Sequence, residues 1–372
     1  MRRILPGLAL AIVITVAAIY AADILGGVLL RAQGHDPAEA KGTPISAVTV
    51  AVLLGLAVGA VIPNRELLKE GTGFAVRRLL RAGIVLVGIR LSLLDVVELG
   101  AIGVPFVAVI IATAILLARW LARRLGISER FGMLTAAATS ICGITATLAT
   151  APAIDAEERE VAYAVANTTL FGLLAMLLYP WLAHAVFGAR SVGAGLFLGT
   201  SIHDTSQVLG AALAYREMFG DEVAFKAATV TKLTRNLFIV AVVPLLGWMA
   251  RRSAVSSAGA KRPSLSTIVP LFVVGFVAMA LVRTVGDLML RRGGDAFGLL
   301  DAAQWTSMTT LLGSTVSGWL LATALAALGL SIRVSMFRQL GARPLFLGAI
   351  VALAVGGVGM GLALLVLPWL RI

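Results

Sequence analysis

About eleven apolar segments, each of about 20 residues or more, divide this chain and constrain its fold more than any other feature. Hydrophobic residues make up 59% of the 372 positions and charged residues only 13%, whereas a soluble domain is charged at about a quarter of its positions. A bilayer satisfies no backbone polar group, so each crossing segment must be a helix. The sequence therefore predicts an all-α polytopic membrane protein with about 11 transmembrane helices in a lipid bilayer.

The basic residues predict the orientation of the chain. The net charge is +12, and most of the 31 Lys and Arg residues fall in alternate loops. These basic regions are the N-terminus and residues 64–81, 119–130, 251–262 and 333–343. Because positively charged loops stay in the cytoplasm, the N-terminus is predicted to be inside and the C-terminus outside. Topology thus explains the excess of positive charge, and we expect no binding of nucleic acid.

The first apolar segment, residues 1–30, stands apart from the others. Arg2 and Arg3 precede an apolar run, and small residues follow at Ala21 and Ala22. This pattern fits a cleavable signal peptide or a retained signal anchor, and we interpret it as an extra N-terminal helix. The single cysteine, Cys142, permits no internal disulfide and does not indicate a compartment.

The two halves of the remaining chain share a sequence skeleton. Residues 46–187 and 191–372 each contain five apolar segments, and three short motifs recur in the same order in both. The matching pairs are 78–81 (RLLR) with 232–235 (KLTR), 140–143 (SICG) with 315–318 (TVSG), and 177–182 (LLYPWL) with 365–370 (LVLPWL). An odd number of crossings in each repeat inverts the second copy. We therefore predict two inverted five-helix repeats within one integral membrane domain.

A second pairing of the chain with itself is also open. Residues 139–141 (TSI) match residues 200–202 (TSI), and Glu-Val-Ala follows each of them, at 160–162 and 222–224. Short apolar alphabets produce such matches by chance. We favour the five-helix pairing because it aligns three segments and accounts for the number of apolar segments.

Two apolar segments are rich in glycine and hydroxyl groups near their centres. They are 131–154, with Ser140, Cys142, Gly143 and Thr145, and its repeat mate 301–330, with Ser314, Thr315, Ser317 and Gly318. Glycine lowers helix propensity by about 1 kcal/mol, and hydroxyl groups replace lost backbone hydrogen bonds, so we predict that both helices unwind and cross near the midplane. The half-helix N-termini would attract an anion. The same residues would also serve close helix packing alone.

Lys232 and Arg235 are charges in the middle of the eighth apolar segment. A lone cation at the centre of a bilayer costs at least about 2.5 to 3.5 kcal/mol. The spacing of three residues puts both side chains on one helix face, and we predict that they bind an anionic substrate. Their repeat mates Arg78 and Arg81 have the same spacing and are predicted to approach the same site. The alternatives are an ion pair with Asp204 for Lys232 and Arg235, and an ordinary cytoplasmic position for Arg81.

His203, Asp204 and Gln207 lie in the middle of the seventh apolar segment. An imidazole and a carboxylate are suitable carriers of a proton or cation, and intramembrane ionisable groups are expensive without a function. We predict that these three residues couple transport to an ion. Equally open is a structural role, in which Asp204 neutralises Arg235 and His203 caps a kink.

At these residues the sequence resembles the sulfate exporter family, a set of conserved hypothetical proteins of the bacterial inner membrane. The resemblance covers nearly the whole chain except the first helix. Its motifs are 80–86 (LRAGIVL), Arg90-Leu91, Cys142-Gly143, Ala151-Pro152, Glu157-Glu158, 161–164 (VAYA), His203-Asp204 with Gln207, and 232–235 (KLTR). The resemblance implies an inner-membrane location. It also implies the inverted-repeat fold of bile acid/sodium symporters and sodium-proton antiporters, with unwound helices crossing around Gly143 and Gly318.

The leading functional hypothesis is a secondary active transporter of a small inorganic or organic anion. The anion would be sulfate, a sulfonate or a similar oxyanion, coupled to protons or sodium ions by alternating access. An uncoupled channel-like pathway and a membrane scaffold or sensor without flux stay open. With three His residues and no metal-binding spacing, we expect no metal, no cofactor and no enzyme activity. The glycine-rich residues 356–361 could pack within the fold or in a homo-oligomer.

Overall fold

The computed structural model describes residues 3–32, 36, 42–62, 66–252, 271–333 and 341–369. Parts of the predicted basic loops 251–262 and 333–343, and the end of the 365–370 motif, lie outside the described residues. Within them the chain is all-helical, with one isolated bridge between Ala296 and Leu300 as its only extended pairing. The prediction of an all-α fold is confirmed.

Sixteen α-helices are present in the described ranges. They are α1 Leu5–Ala32, α2 Ala47–Val61, α3 Glu66–Phe74, α4 Leu80–Val87, α5 Leu93–Arg124, α6 Glu129–Ser140, α7 Ile144–Thr150, α8 Glu158–Phe187, α9 Ser191–Ser201, α10 Thr205–Phe219, α11 Glu222–Leu237, α12 Ile239–Arg252, α13 Leu271–Arg291, α14 Ala302–Thr310, α15 Ser317–Ser331 and α16 Ala342–Val366. Short π-helical segments, Ala75–Leu79 and Leu311–Val316, join α3 to α4 and α14 to α15.

The protein is an integral membrane protein. Six helical runs in the described chain are long and apolar enough to cross a bilayer, and the bent pair α11–α12 would make a seventh. The six are α1, α5, α8, α13, the run from α14 through α15, and α16. The count of 11 crossing helices stays a prediction.

The helices form two compact units. One holds the described residues within 1–99, 213–220 and 271–333, and the other holds those within 100–212, 221–252 and 341–369. Each unit takes helices from both halves of the sequence, so the units do not coincide with the predicted repeats 46–187 and 191–372. The repeats themselves stay a prediction.

Glycines bring helix backbones close together in the first unit. A Cβ on Gly7 of α1 would collide with the backbone of Leu68 in α3, and a Cβ on Gly71 would collide with the backbone of Ile4. Gly55 of α2 and Gly329 of α15 approach each other in the same way. Small residues allow such contacts in membranes, so the predicted extra N-terminal helix is packed into this unit.

The predicted unwinding around Gly318 is wrong. The chain is helical without interruption from Ala302 to Ser331, and it widens into a π-helix over Leu311–Val316 instead of breaking. The hydroxyl group of Ser317 donates to the Gly313 carbonyl at 2.5 Å, which supplies a partner inside the same helix. The Ser317 hydroxyl thus bonds to a carbonyl of its own helix, and the run continues through the π-helical segment.

Helix α9 and the first part of α10, to Ala212, belong to the second unit, and the two helices form a helical hairpin. Gly195 and Gly199 of α9 pack on residues 224–228 and 228–231 of α11, so the two helices run in parallel and begin at the same level. Ser191 and Val223, near their starts, line one pocket. Since α10 ends at Phe219, just before α11 begins, α10 must return to the level at which α9 started. A straight helix over that length would instead separate its ends by about 40 Å.

A second hairpin, α6–α7, begins and ends at the opposite end of the unit. Gly126, before α6, lies beside the Arg343 side chain at the start of α16, and Ala153, after α7, lies beside Gly247 of α12. Helix α16 runs from there towards Leu364, which lines the pocket shared with Ser191 and Val223. Helices α11 and α12 lead from Val223 to the other end. The predicted segments around Gly143 and Thr200 are therefore hairpins in this structure.

Candidate functional site

The tips of the two hairpins meet inside the second unit. The first tip is Ile141–Gly143, between α6 and α7, and the second tip is Ile202–Asp204, between α9 and α10. A Cβ placed on Gly143 would lie 3.0 Å from Oδ2 of Asp204. The tips follow the matching sequences 139–141 and 200–202, which belong to the second of the two pairings considered above.

The ends of α6 and α9 present backbone carbonyls that have no partner within their own helices. An α-helix leaves its last four carbonyls unbonded and carries about half a negative charge at that end. At α6, the backbone accounts for two of them, because Ile141 N donates to Ala137 O at 3.2 Å and Gly143 N to Ala138 O at 3.0 Å. The others need donors from elsewhere, since unpaired buried carbonyls are rare.

Lys232 supplies donors to both tips. Its Nζ donates to the carbonyl of Ile141 at 2.7 Å, to that of Ile202 at 3.2 Å, and to that of His203. The side chain is 0% exposed. Three carbonyl acceptors match the three hydrogens of an ammonium group, which has no acceptor of its own. The Lys232 ammonium therefore joins the two hairpins directly.

Arg235 completes the same arrangement one helical turn later. Its Nε donates to Ser140 O at 2.9 Å and its Nη2 to Thr139 O at 2.5 Å, both at the end of α6. Its Nη1 donates to the carbonyls of Gly199, Thr200 and Ile202 at the end of α9. The guanidinium is also 0% exposed. Two negative helix ends that would repel each other are thus held together by two cations.

The local sequence explains both why these two cations share one helix face and why they are buried. Lys232 and Arg235 share one face of α11 because they are three residues apart. Helix α9 lies against that helix because Gly195 and Gly199 carry no side chain: a Cβ there would lie 2.6 Å from Ala224 O and 2.8 Å from Ala228 O. Glycines four residues apart are the usual signal for close packing in membranes, and this signal was missed in the sequence.

Asp204 caps the start of α10. Its Oδ1 accepts hydrogen bonds from the backbone N of Ser206 at 2.9 Å and from the Ser206 hydroxyl at 2.5 Å. Its backbone N donates to Oε1 of Gln207 at 3.3 Å, and Nε2 of Gln207 donates to Thr169 O of α8 at 3.2 Å. Asp204 is half-buried, so the carboxylate is the accessible charge of the tips.

Within the described residues, no ion pair joins Asp204 to Lys232 or Arg235. The alternative of a structural ion pair with Asp204 is therefore not what the structure shows; backbone carbonyls take its place. Lys232 and Arg235 each carry one formal positive charge, and Asp204 carries one negative charge. His203 adds a 2%-exposed imidazole whose Nδ1 has no hydrogen-bond partner.

Gly143 is required at the first tip for two reasons. Its φ of 65° lies in the left-handed region that L side chains adopt at a cost, and a Cβ would meet Asp204. We expect Gly143→Ala to lower stability by about 1 to 3 kcal/mol, seen as a lower midpoint of thermal unfolding in detergent. Gly361→Ala, in a helical position with open space around it, is the control, and an equal loss in both variants would contradict the assignment.

The structure brings together only part of the predicted site. At the tips lie Ser140, Cys142, Gly143, His203, Asp204, Gln207, Lys232 and Arg235, with Thr145 exposed on the first turn of α7. The others belong to the first unit: Ser314, Thr315, Ser317 and Gly318 in the α14–α15 run, and Arg81, which is exposed with its guanidinium 5.9 Å from the Phe272 ring centroid. The role of each as a binding residue stays a prediction.

Two known proteins similar to this chain are named as UPF0324 membrane proteins. A UPF0324 membrane protein of Yersinia pestis is 33% identical over 97% of this chain and 93% of its own length. The UPF0324 inner membrane protein YeiH of Escherichia coli K12 is 32% identical over 95% of this chain and 92% of its own length. No solved structure matches the chain significantly. A family profile, described as conserved hypothetical protein 698, matches residues 6–348. The chain therefore belongs to the conserved hypothetical protein 698 family, together with these UPF0324 membrane proteins.

Proposed function

We propose that this protein is a secondary transporter of a small anion, and that the paired hairpin tips are its transport site. The observation that carries the proposal is the meeting of two interrupted helices, which come from opposite ends of one unit and are joined by Lys232 and Arg235. Interrupted helices at mid-depth are the usual substrate and ion sites of secondary transporters.

The exposure of the tips supports a transport role over a purely structural one. Broken backbone at membrane depth is tolerated where it is buried in protein or lines a water-filled cavity. Lys232 and Arg235 are completely buried, whereas Asp204 is half-buried and Thr145 is exposed. The buried cations stabilise the tips, and the carboxylate and hydroxyl groups remain free to contact a solute.

The charge balance favours an anion as that solute. Lys232, Arg235 and Asp204 leave one formal positive charge at the tips, and a net charge at the centre of a bilayer is costly. A bound oxyanion or sulfonate would neutralise it without a direct contact to Lys232 or Arg235, since charge interactions in a low-dielectric interior act over several ångströms. Sulfate, the substrate that the family resemblance suggests, and a sulfonate are therefore the first solutes to test.

Protonation of Asp204 offers a simple coupling mechanism. A proton on this carboxylate raises the formal charge of the tips from one positive charge to two, so proton and anion binding strengthen each other. His203 precedes Asp204 in the chain and has a buried Nδ1 without a hydrogen-bond partner, and we propose that it exchanges that proton. The transporter would then carry its anion together with protons by alternating access.

The hairpins also suggest how the chain crosses the membrane. If each is re-entrant, and if α2 and the α3–α4 run cross in addition to the seven candidate runs, nine crossing runs remain among the described residues. An odd number would keep the N-terminus in the cytoplasm and the C-terminus outside. The two hairpins then enter the membrane from opposite sides, which is an inverted relationship. We assign the protein to the bacterial inner membrane, as in the name of the YeiH relative.

Flux measurements on purified protein in liposomes test this proposal. We expect saturable uptake of labelled sulfate or taurine that responds to an imposed pH gradient. Thr145→Val keeps the shape of an exposed side chain at the tips but removes its hydroxyl group. Flux should fall about tenfold, because the loss of one hydrogen bond of ~1.4 kcal/mol corresponds to that factor.

Thr315→Val is the matched control, because Thr315 is also exposed and was predicted to bind substrate, but lies in the continuous α14–α15 run. A loss of flux only in Thr315→Val would move the site away from the tips. Uptake that is unsaturable and ignores the pH gradient would indicate the channel-like alternative. No uptake of either solute would contradict the proposed substrate class.

A further inference from the structure

The Lys232 ammonium occupies an oxygen cage of the kind that holds a monovalent cation. All three of its acceptors are backbone carbonyls, one from the first tip and two from the second. Carbonyls of unwound segments and of half-helix C-terminal ends are the ligands that transporters use for sodium ions. Every Lys232 donor points at the backbone, so the ammonium itself offers no donor to the proposed anion.

Most of the neighbouring acceptor oxygens already accept hydrogen bonds from groups of the chain. Arg235 takes the carbonyls of Thr139, Ser140, Gly199 and Thr200 and shares that of Ile202. Oδ1 of Asp204 is engaged by Ser206 at the start of α10. The negative ends of α6 and α9 are therefore compensated by groups that belong to the chain.

We propose that Lys232 is a tethered cation that fills a monovalent-cation site formed by the hairpin tips, so that the protein needs no sodium ion there. The side chain closes the tips as a bound ion would, but it cannot leave. The coupling part of this inference, that protons and not sodium ions drive transport, rests on the proposed function. The existence of the cage does not.

Removing the side chain tests the cage directly. Lys232→Ala leaves a cavity lined by the carbonyls of Ile141, Ile202 and His203, which a sodium, potassium or methylammonium ion can enter. We expect the variant to unfold at a lower temperature than the wild type in choline chloride, and to regain several degrees when choline is replaced by one of the small cations. Ligand binding to the native state produces such a shift.

Lys226→Ala is the matched control, since Lys226 is in the same helix α11 but outside the cage. It and the wild type should show no difference between choline and the small cations. A Lys232→Ala protein that is destabilised but regains nothing with any small cation would overturn the cage.

If Lys232→Ala cannot be purified, unfolding and flux measurements on the wild-type protein test the proposal. A specific stabilisation of the wild type by sodium over choline, or flux that requires sodium, would show a free cation site and overturn the proposal. Equal stability in both salts is the expected result. Because thermal unfolding needs no substrate, failure to find sulfate or taurine flux would count against the proposed function and leave the cage standing.

Discussion

Arg235→Leu is expected to prevent the second unit from folding stably. The leucine keeps much of the apolar stem but removes donors to five carbonyls at the ends of α6 and α9. Each buried carbonyl left without a partner costs about 1 to 3 kcal/mol. Four of the five carbonyls lose their partner, since Lys232 still donates to that of Ile202. The cost of about 4 to 12 kcal/mol is comparable to the 5 to 15 kcal/mol by which a typical protein is stable. We expect loss of the monodisperse peak in size-exclusion chromatography, or a large drop in the unfolding midpoint.

Arg235→Lys should recover only part of that loss. A lysine keeps the charge, but its ammonium has three donors at one point, whereas the planar guanidinium fork of Arg235 donates to five carbonyls. We expect an unfolding midpoint between those of the leucine variant and the wild type.

Arg81→Leu provides the control for a change of the same chemistry at an exposed site. Arg81 is exposed and contacts the Phe272 ring at 5.9 Å, and exposed substitutions usually change stability by less than about 0.5 kcal/mol. If Arg235→Leu were as stable as Arg81→Leu, the hydrogen bonds to α6 and α9 would not hold the hairpins together.

The sequence could predict the buried cations but not their partners. The three-residue spacing of Lys232 and Arg235 and the length of the surrounding apolar segment predict one buried helix face. Their acceptors are backbone carbonyls 29 to 96 residues away, and a carbonyl leaves no trace in the residue type that bears it. The buried cations therefore suggested that a substrate or an acidic side chain lies beside them. Their partners in the structure are instead the carbonyls at two helix ends.

The location of the second break was predicted wrongly for a similar reason. Gly318 sits in a glycine- and hydroxyl-rich segment, but its helix widens into a π-helix over Leu311–Val316 and continues, with the Ser317 hydroxyl bonded to the Gly313 carbonyl. The actual break at Ile202–Asp204 contains no glycine. It is stabilised by Lys232 and Arg235 on one side and by the Asp204 cap on the other. The TSI match between residues 139–141 and 200–202 was the sequence signal for this break. A three-residue match in an apolar chain carries too little information to be preferred over a pairing that aligns three segments.

Asp204→Asn is expected to abolish the dependence of transport on pH while leaving the protein folded. Asparagine keeps an Oδ1 that can accept from Ser206, and it is as good an N-cap as aspartate. The change fixes the formal charge of the tips at two positive charges, the value that a protonated Asp204 would give. Anion affinity should therefore be high and independent of pH in the variant. In the wild type, by the proposed coupling, uptake should respond to an imposed proton gradient, because a proton carried with the anion adds positive charge at the tips.

Asp221→Asn is the matched control for this result. Asp221 is also a half-buried N-cap, with its side chain accepting from Ala224 N at 2.9 Å at the start of α11, but it lies away from the tips. We expect its flux and pH response to equal those of the wild type. Accumulation of anion driven by a pH gradient in Asp204→Asn liposomes would show that the proton is carried elsewhere. Because the Asp204 carboxylate is the accessible charge at the tips, that outcome would also remove the main reason to place ion coupling there.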